Sequence, residues 1–194
     1  MTSSDKTVLA QGTVERYEAQ VGSSVQGESE PGEPTPFRVT FVCAKFNGGI
    51  TDRLLRAAIA VLTERGVERD SIGLVWVPGA FEIPSVAKLL AMSGEHDVIV
   101  ALGAVIRGGT PHFDFVAGEC AAGLQRAALD TGVPVVFGVL TTDTVEQALE
   151  RSGEGEDNKG REAAVTALEM ASLFSRLGAV TGRMSASTAR AAAR

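Results

Sequence analysis

Between residues 37 and 177 the chain alternates short, nearly continuous apolar runs with longer stretches of helical spacing. Arg38–Ala44 (RVTFVCA), Ile72–Val77 (IGLVWV), Asp97–Val105 and Pro134–Leu140 are rich in Val, Ile and Leu with few polar interruptions. Runs of this kind predict strands buried on both faces, as in a parallel sheet, rather than the alternation of a half-solvated one. Ile50–Arg65 places Leu54, Leu55, Ala58, Ile59 and Leu62 on one helical face and stops at Gly66, which predicts an amphipathic helix. A short helix is expected over Ile83–Met92, with Pro84 in its first turn. Longer ones are expected over Phe113–Asp130, stopped by Gly132, and over Lys159–Leu177. Thr142 or Asp143 is expected to cap a further helix through Glu150, with Glu146 placed for a capping box. The alternation predicts an α/β protein: a three-layer αβα sandwich around a four-stranded parallel sheet, of the flavodoxin-like kind.

The pattern fades at both ends. In residues 1–36, Asp5, Glu15, Glu18, Glu28, Glu30 and Glu33 stand against Lys6 and Arg16, a net of −4, and GESEPGEPTP (27–36) has a linker's composition. GSSVQG (22–27) imitates the spacing of a phosphate loop but runs into Glu28 instead of Lys-Ser/Thr. Residues 178–194 are rich in Ala and Ser, with Arg183, Arg190 and Arg194 and no acid. Both segments are expected to be flexible tails around one domain at 37–177.

The whole chain has 194 residues, 44% of them hydrophobic, and a net charge of −6. The charge argues against nucleic acid or an anionic membrane as partner. No apolar run approaches the ~18 residues of a membrane span, and the N-terminus lacks the apolar core of a signal peptide. Cys43 and Cys120 have neither disulfide nor metal-ligand spacing, which suggests buried free thiols in a reducing cytoplasm. The two histidines are 16 positions apart with no acidic partners at ligand spacing, so no metal site is expected.

If the strands are parallel, the segments that follow them share one rim of the sheet, where open α/β sheets bind ligands. These segments are KFNG (45–48), PGAFE (78–82), RGGTPH (107–112) and TTD (141–143). Each sets a polar or aromatic side chain beside a turn. Arg107 offers a cation, Gly108 and Gly109 an open backbone, Thr110 a hydroxyl, and a helix start adds partial positive charge, which together suit an anion. His112 beside them brings an imidazole that exchanges protons near neutrality. Phe46 reads equally as a core aromatic or as a stacking face for a planar ligand. Glu82 reads equally as a helix-start acid or as a ligand contact. His96 is expected to be exposed in a turn, and Arg151 and Lys159 to bracket a solvated acidic loop. These residues point to acid–base chemistry on a phosphorylated substrate.

KFNGGIT (45–51), VPGAFEIP (77–84), GAVIRGGTPHFDFVA (103–117), FGVLTTDT (137–144) and ERSGEGEDNKG (150–160) follow one another at a spacing that resembles the lumazine synthase family of riboflavin biosynthesis. The resemblance spans about residues 37–177. It implies a transferase that needs no cofactor and condenses 5-amino-6-(D-ribitylamino)uracil with 3,4-dihydroxy-2-butanone 4-phosphate. By the resemblance, Phe46 stacks on the pyrimidine, and Ala80 and Glu82 hold the ribityl chain and uracil. Gly109 and Thr110, with Arg151, bind the phosphate, and His112 is the general acid–base. Phe81, Ala104, Val105, Ile106, Phe137 and Lys159 complete the substrate-binding set, with Phe137 expected from a neighbouring subunit of a homopentamer. The acidic SGEGEDN loop replaces a more basic glycine-rich one found in members that build sixty-subunit shells, so a larger icosahedral assembly stays open. Two other classes compete: a pentameric scaffold or flavin-binding relative without synthase activity, and a flavodoxin-like FMN binder. Retention of His112 and Arg151 weighs against the first, and the scarcity of hydroxyls in KFNGGIT against the second.

Overall fold

The computed structural model describes residues 36–192, with side chains through residue 178. Nearly all of the acidic lead-in therefore lies outside the described residues, as do the last two positions.

Four parallel strands form the sheet: β1 (Val39–Ala44), β2 (Ile72–Val77), β3 (Val98–Ile106) and β4 (Val135–Thr142), in the order β2-β1-β3-β4. The helices are α1 (Gly48–Glu64), α2 (Ile83–Met92), α3 (His112–Thr131), α4 (Val145–Arg151) and α5 (Lys159–Ala192), with single 3₁₀ turns at Arg69–Ser71 and Ala80–Glu82. Parallel crossovers are right-handed, so the direction of each step decides which face its helix covers. The chain steps outward from β1 to β2 through α1, then turns back past β1 to β3 and on to β4 through α2 and α3. The reversal puts α2 and α3 on the face opposite α1.

Two cores result. On one face Phe41, Val100 and Leu102 pack against Leu54 and Leu62 of α1 and Leu168 of α5. On the other, Val42, Ile99 and Ala101 meet Ile83 and Ala87 of α2 and Leu124 of α3. Full burial of one large aliphatic side chain stabilises by about 1.5–3 kcal/mol. Close approach is built in with glycine: a Cβ at Gly123 would stand 2.7 Å from Pro84, where α2 crosses α3.

The sandwich and the sheet are those expected, with differences in detail. IGLVWV does not form a doubly buried strand: β2 is an edge, with Leu74 and Trp76 substantially exposed. Its apolar run has one sheet neighbour and lacks cover on part of its surface. β4 runs on to Thr142, so neither Thr142 nor Asp143 caps α4. Thr144 is the cap, accepting from the Gln147 amide at 3.2 Å, while the Gln147 side chain accepts from the Asp143 amide at 2.9 Å. The reciprocal residue of the capping pattern is therefore Gln147, not Glu146. Glu146 sits one position earlier, its carboxyl held below the usual range by its own backbone N–H and then by the Thr144 hydroxyl. α5 continues to Ala192, beyond Leu177 where the apolar spacing ended it. His96 is half-buried rather than exposed, its Nδ1 2.9 Å from the Thr40 hydroxyl.

Candidate active site

Strand order reverses between β1 and β3, and the crevice beyond their carboxyl ends is where an open α/β sheet admits a ligand. A cleft of about 630 Å³ opens there, walled by the segments after β1, β2 and β3 and by the first turn of α3.

Its first wall comes from the exit of β1. The Lys45 and Phe46 amides donate to the carbonyls of Val77 at 2.9 Å and Pro78 at 3.0 Å, extending the β1–β2 pairing past the strand. Asn47 then adopts a left-handed backbone, φ 56°, that turns the chain into α1. Its side-chain amide donates to the Ala104 carbonyl at 2.9 Å, tying this turn to β3. Phe46 is left 72% exposed on the cleft wall, which removes it from the core and leaves a ring face open for stacking. Phe81 and Phe115 are exposed in the same cleft, with Phe113 beside them. Aromatic area of this kind gives a flat ligand a large contact with little ordering cost.

The second wall is the turn Ala80–Glu82. Glu82 precedes α2 but caps nothing with its side chain. Its carboxylate lies over Gly79, where a Cβ would come within 3.2 Å of Oε2, and it lines the cleft. Glu82 thus stands at the helix start and lines the cleft at once.

The third wall runs from Ala104, Val105 and Ile106 of β3 through Gly108 and Thr110 to His112. Neither Gly108 nor Gly109 has a positive φ, and a side chain on either would meet no atom within 4 Å. Both residues are exposed, and among the described residues no backbone carbonyl accepts from their amides. His112 is the first residue of α3, exposed, at the end where helical N–H groups lack partners and the dipole is positive.

Arg107 does not serve this turn as a free cation, contrary to the sequence expectation. Its Nε donates to Asp143 at 2.9 Å and its Nη1 to Asp114 at 3.1 Å, and the guanidinium lies 4.0 Å from the centre of the Phe113 ring. The hydrogen bond to Asp143, then that to Asp114, raises its pKa above the ordinary arginine value.

Phe46, Ala80, Phe81, Glu82, Ala104, Val105, Ile106, Thr110 and His112 therefore share one cleft, with Gly109 on its rim between Gly108 and Thr110. Phe137, Arg151 and Lys159 do not join them. They line a separate groove of about 630 Å³ along the β4 edge, between α3 and α5, and the two hollows share no residue. There Arg151 donates to the Gln147 carbonyl at 2.9 Å, and Lys159 pairs with Glu162. Within one chain Arg151 is thus not part of the Gly109–Thr110 turn. Asn47, Phe113, Phe115 and Val116 line the cleft without having been singled out from the sequence. Phe115 carried a signal, because it falls off the helical face marked by Cys120, Leu124 and Ala127 and is flanked by Asp114.

Among the described residues no group of three or more His, Cys, Asp or Glu side chains is arranged to hold a metal ion, and no helix is long and apolar enough to cross a membrane. An aromatic-walled cleft at the switch point of a 2-1-3-4 parallel sheet, with an open glycine turn and an imidazole at a helix start, defines an α/β enzyme acting on small molecules. The family model described as 6,7-dimethyl-8-ribityllumazine synthase matches residues 36–175. The 6,7-dimethyl-8-ribityllumazine synthase of Protochlamydia amoebophila (strain UWE25) is 51% identical over 152 residues, covering 78% of this chain and 88% of that protein. The chain belongs to the 6,7-dimethyl-8-ribityllumazine synthase family, enzymes of riboflavin biosynthesis.

Proposed function

We propose that this protein condenses 5-amino-6-(D-ribitylamino)uracil with 3,4-dihydroxy-2-butanone 4-phosphate to give 6,7-dimethyl-8-ribityllumazine. The observation that carries this reading is the convergence of Phe46, Glu82, the Gly108–Gly109–Thr110 turn and His112 on one cleft, in a chain that belongs to this family.

The pyrimidine stacks on Phe46, while Glu82 and the backbone at Ala80 and Phe81 hold its polar edge and the ribityl chain. Its amine attacks the ketone carbon, and loss of one water gives an imine. Removal of a proton beside the imine carbon lets the C–O bond to phosphate break, and inorganic phosphate leaves. The enol left at the hydroxyl-bearing carbon tautomerises to a ketone, and attack on it by the ribityl-bearing nitrogen closes the ring with loss of a second water. His112 is the group suited to moving these protons. Open amides at Gly109 and Thr110, together with the positive end of α3, stabilise charge on the departing phosphate. Holding both substrates against the cleft wall supplies the orientation that a two-substrate condensation needs.

Arg151, Lys159 and Phe137 enter the same site from a neighbouring copy of the chain, in a homopentamer whose subunits each lend one groove to the next. Separation of the two hollows within one chain, and the exposure of Phe115 and Leu129 along α3, support that arrangement. The catalytic domain is residues 37–177. Two buried thiols without a disulfide fit a reducing cytoplasm.

The test is a direct assay of purified protein with both substrates, following lumazine beside a His112→Ala control. Product that depends on the protein and falls sharply in the control supports the reading. A rate at the uncatalysed background from folded protein overturns it in favour of an inactive scaffold.

A further inference from the structure

The segment 108–113 holds two glycines and no regular structure until His112, yet everything the proposed chemistry asks of it depends on where Thr110 and His112 stand. Glycines lose more freedom than other residues when ordered, so such a turn needs ties from outside itself. Its own interior offers few. One backbone bond, from the Asp114 amide to the Pro111 carbonyl at 3.0 Å, closes the first turn of α3.

The ties come from Arg107. Its backbone amide donates to the Thr142 carbonyl at 2.9 Å, fixing the near end of the turn to the end of β4. Its side chain then reaches across the turn. Nη1 grips Asp114, just past His112, and Nε grips Asp143, just past β4. The flat guanidinium also lies on Phe113, whose ring lines the cleft. One side chain thus joins both ends of residues 108–113 and anchors them to a third element.

We infer that Arg107 is a positioning residue: its fork between Asp114 and Asp143 closes the 108–113 turn and sets Thr110 and His112 in place before any substrate arrives. This rests on the proposed function for what the turn does, but not for how it is held. Arginine is required because the task needs a rigid fork with two differently directed N–H groups and a face to lay on a ring. Lysine offers a single point charge that satisfies one carboxylate at a time.

Amide hydrogen exchange on the full chain tests the clasp without relying on turnover. In Arg107→Ala, exchange at the hydrogen-bonded amides of position 107 and of Asp114 should rise by about ten-fold or more, while amides of β1 and β2 stay as in the parent. Arg107→Lys should fall between the two. Arg107→Ala added to Asp114→Asn should open the turn little further than either change alone, because both remove the same tie. In the synthase assay KM for the butanone phosphate should rise about ten-fold with Arg107→Ala, and KM for the ribitylaminouracil should stay within about two-fold. Unchanged exchange at the amides of positions 107 and 114, or a rise spread evenly over the sheet, overturns the inference. So does a full Arg107→Lys rescue, since a fork would then not be needed. Parent protein that makes no lumazine while the turn still opens in Arg107→Ala sinks the proposed function and leaves the clasp standing.

Discussion

The carbonyl oxygen of Leu54 occupies the space in which a side chain at Gly160 would begin. α1 and α5 touch there backbone to backbone, and a Cβ would collide with the main chain of Leu54 rather than with the tip of a flexible side chain. Asn158 supports the same corner. Its Oδ1 accepts from the Gly160 amide at 2.8 Å and its Nδ2 donates to the Gly153 carbonyl at 2.7 Å. Gly160→Ala should therefore cost about 3 kcal/mol, the upper end of overpacking, because neither helix backbone can yield cheaply. A thermal melt should show a drop of about 10 °C. A drop within experimental error would mean that the helices can slide apart at no cost.

Asn47 combines a left-handed backbone with a hydrogen bond to the carbonyl of Ala104. Asn47→Ala removes the tie and leaves a residue less tolerant of φ 56°, so stability should fall by about 1–2 kcal/mol. Because the tie sets the direction of Phe46, KM for the ribitylaminouracil should rise more than KM for the butanone phosphate. Equal changes in both would assign Asn47 to general stability alone.

Arg151→Ala should raise KM for the butanone phosphate by about ten-fold or more, through loss of a charge-assisted contact, and barely move KM for its partner substrate. His112→Ala should lower kcat instead. If each site takes His112 from one chain and Arg151 from the next, co-expressing the two variants should restore activity at about a quarter of the interfaces, those that pair two intact halves. Co-expressed variants no more active than either alone would mean that His112 and Arg151 act within one chain or in separate events.

Burial pushes the Cys43 thiol up to about 12 and that of Cys120 to about 11. Ionisation thus begins in the unfolded chain near its ordinary value of 9.0 and is resisted in the folded one. Folded pKa values above the unfolded ones contribute stability that is complete below pH 9 and is lost as pH climbs towards 11–12. Denaturant midpoints should accordingly hold steady up to about pH 9 and fall above it. A disulfide-exchange reagent at pH 8 should find neither thiol in the native protein and both after unfolding. Rapid native labelling would show that the sheet opens far more often than its packing implies.

Much of the architecture was legible because its physics is local. The Val-rich runs of β1 and β3 are central strands, and their continuous burial is the property that marks a parallel sheet. The same reasoning failed for β2, since IGLVWV looks alike in the middle of a sheet and at its edge, and only the crossover order places it. The cap of α4 was missed by one or two positions because Thr141, Thr142, Asp143 and Thr144 are all competent caps, and the length of β4 decides among them. In the cleft, the loop residues were found through glycine, proline and histidine next to strand ends. Arg107 was misread, as spacing along the chain does not reveal that Asp114 and Asp143 converge on it. Nor does the sequence order of Phe137, Arg151 and Lys159 betray that they line a different hollow from His112.

That division into two hollows has a consequence beyond geometry. Under the proposed assembly a chain that is perfectly folded but solitary owns two half-sites and no whole one. Turnover per chain then obeys the law of mass action: dilution below the point at which subunits part should silence the enzyme without melting any of it. Any substitution that loosens the contact between copies would look, in a dilute assay, like damage to the chemistry itself.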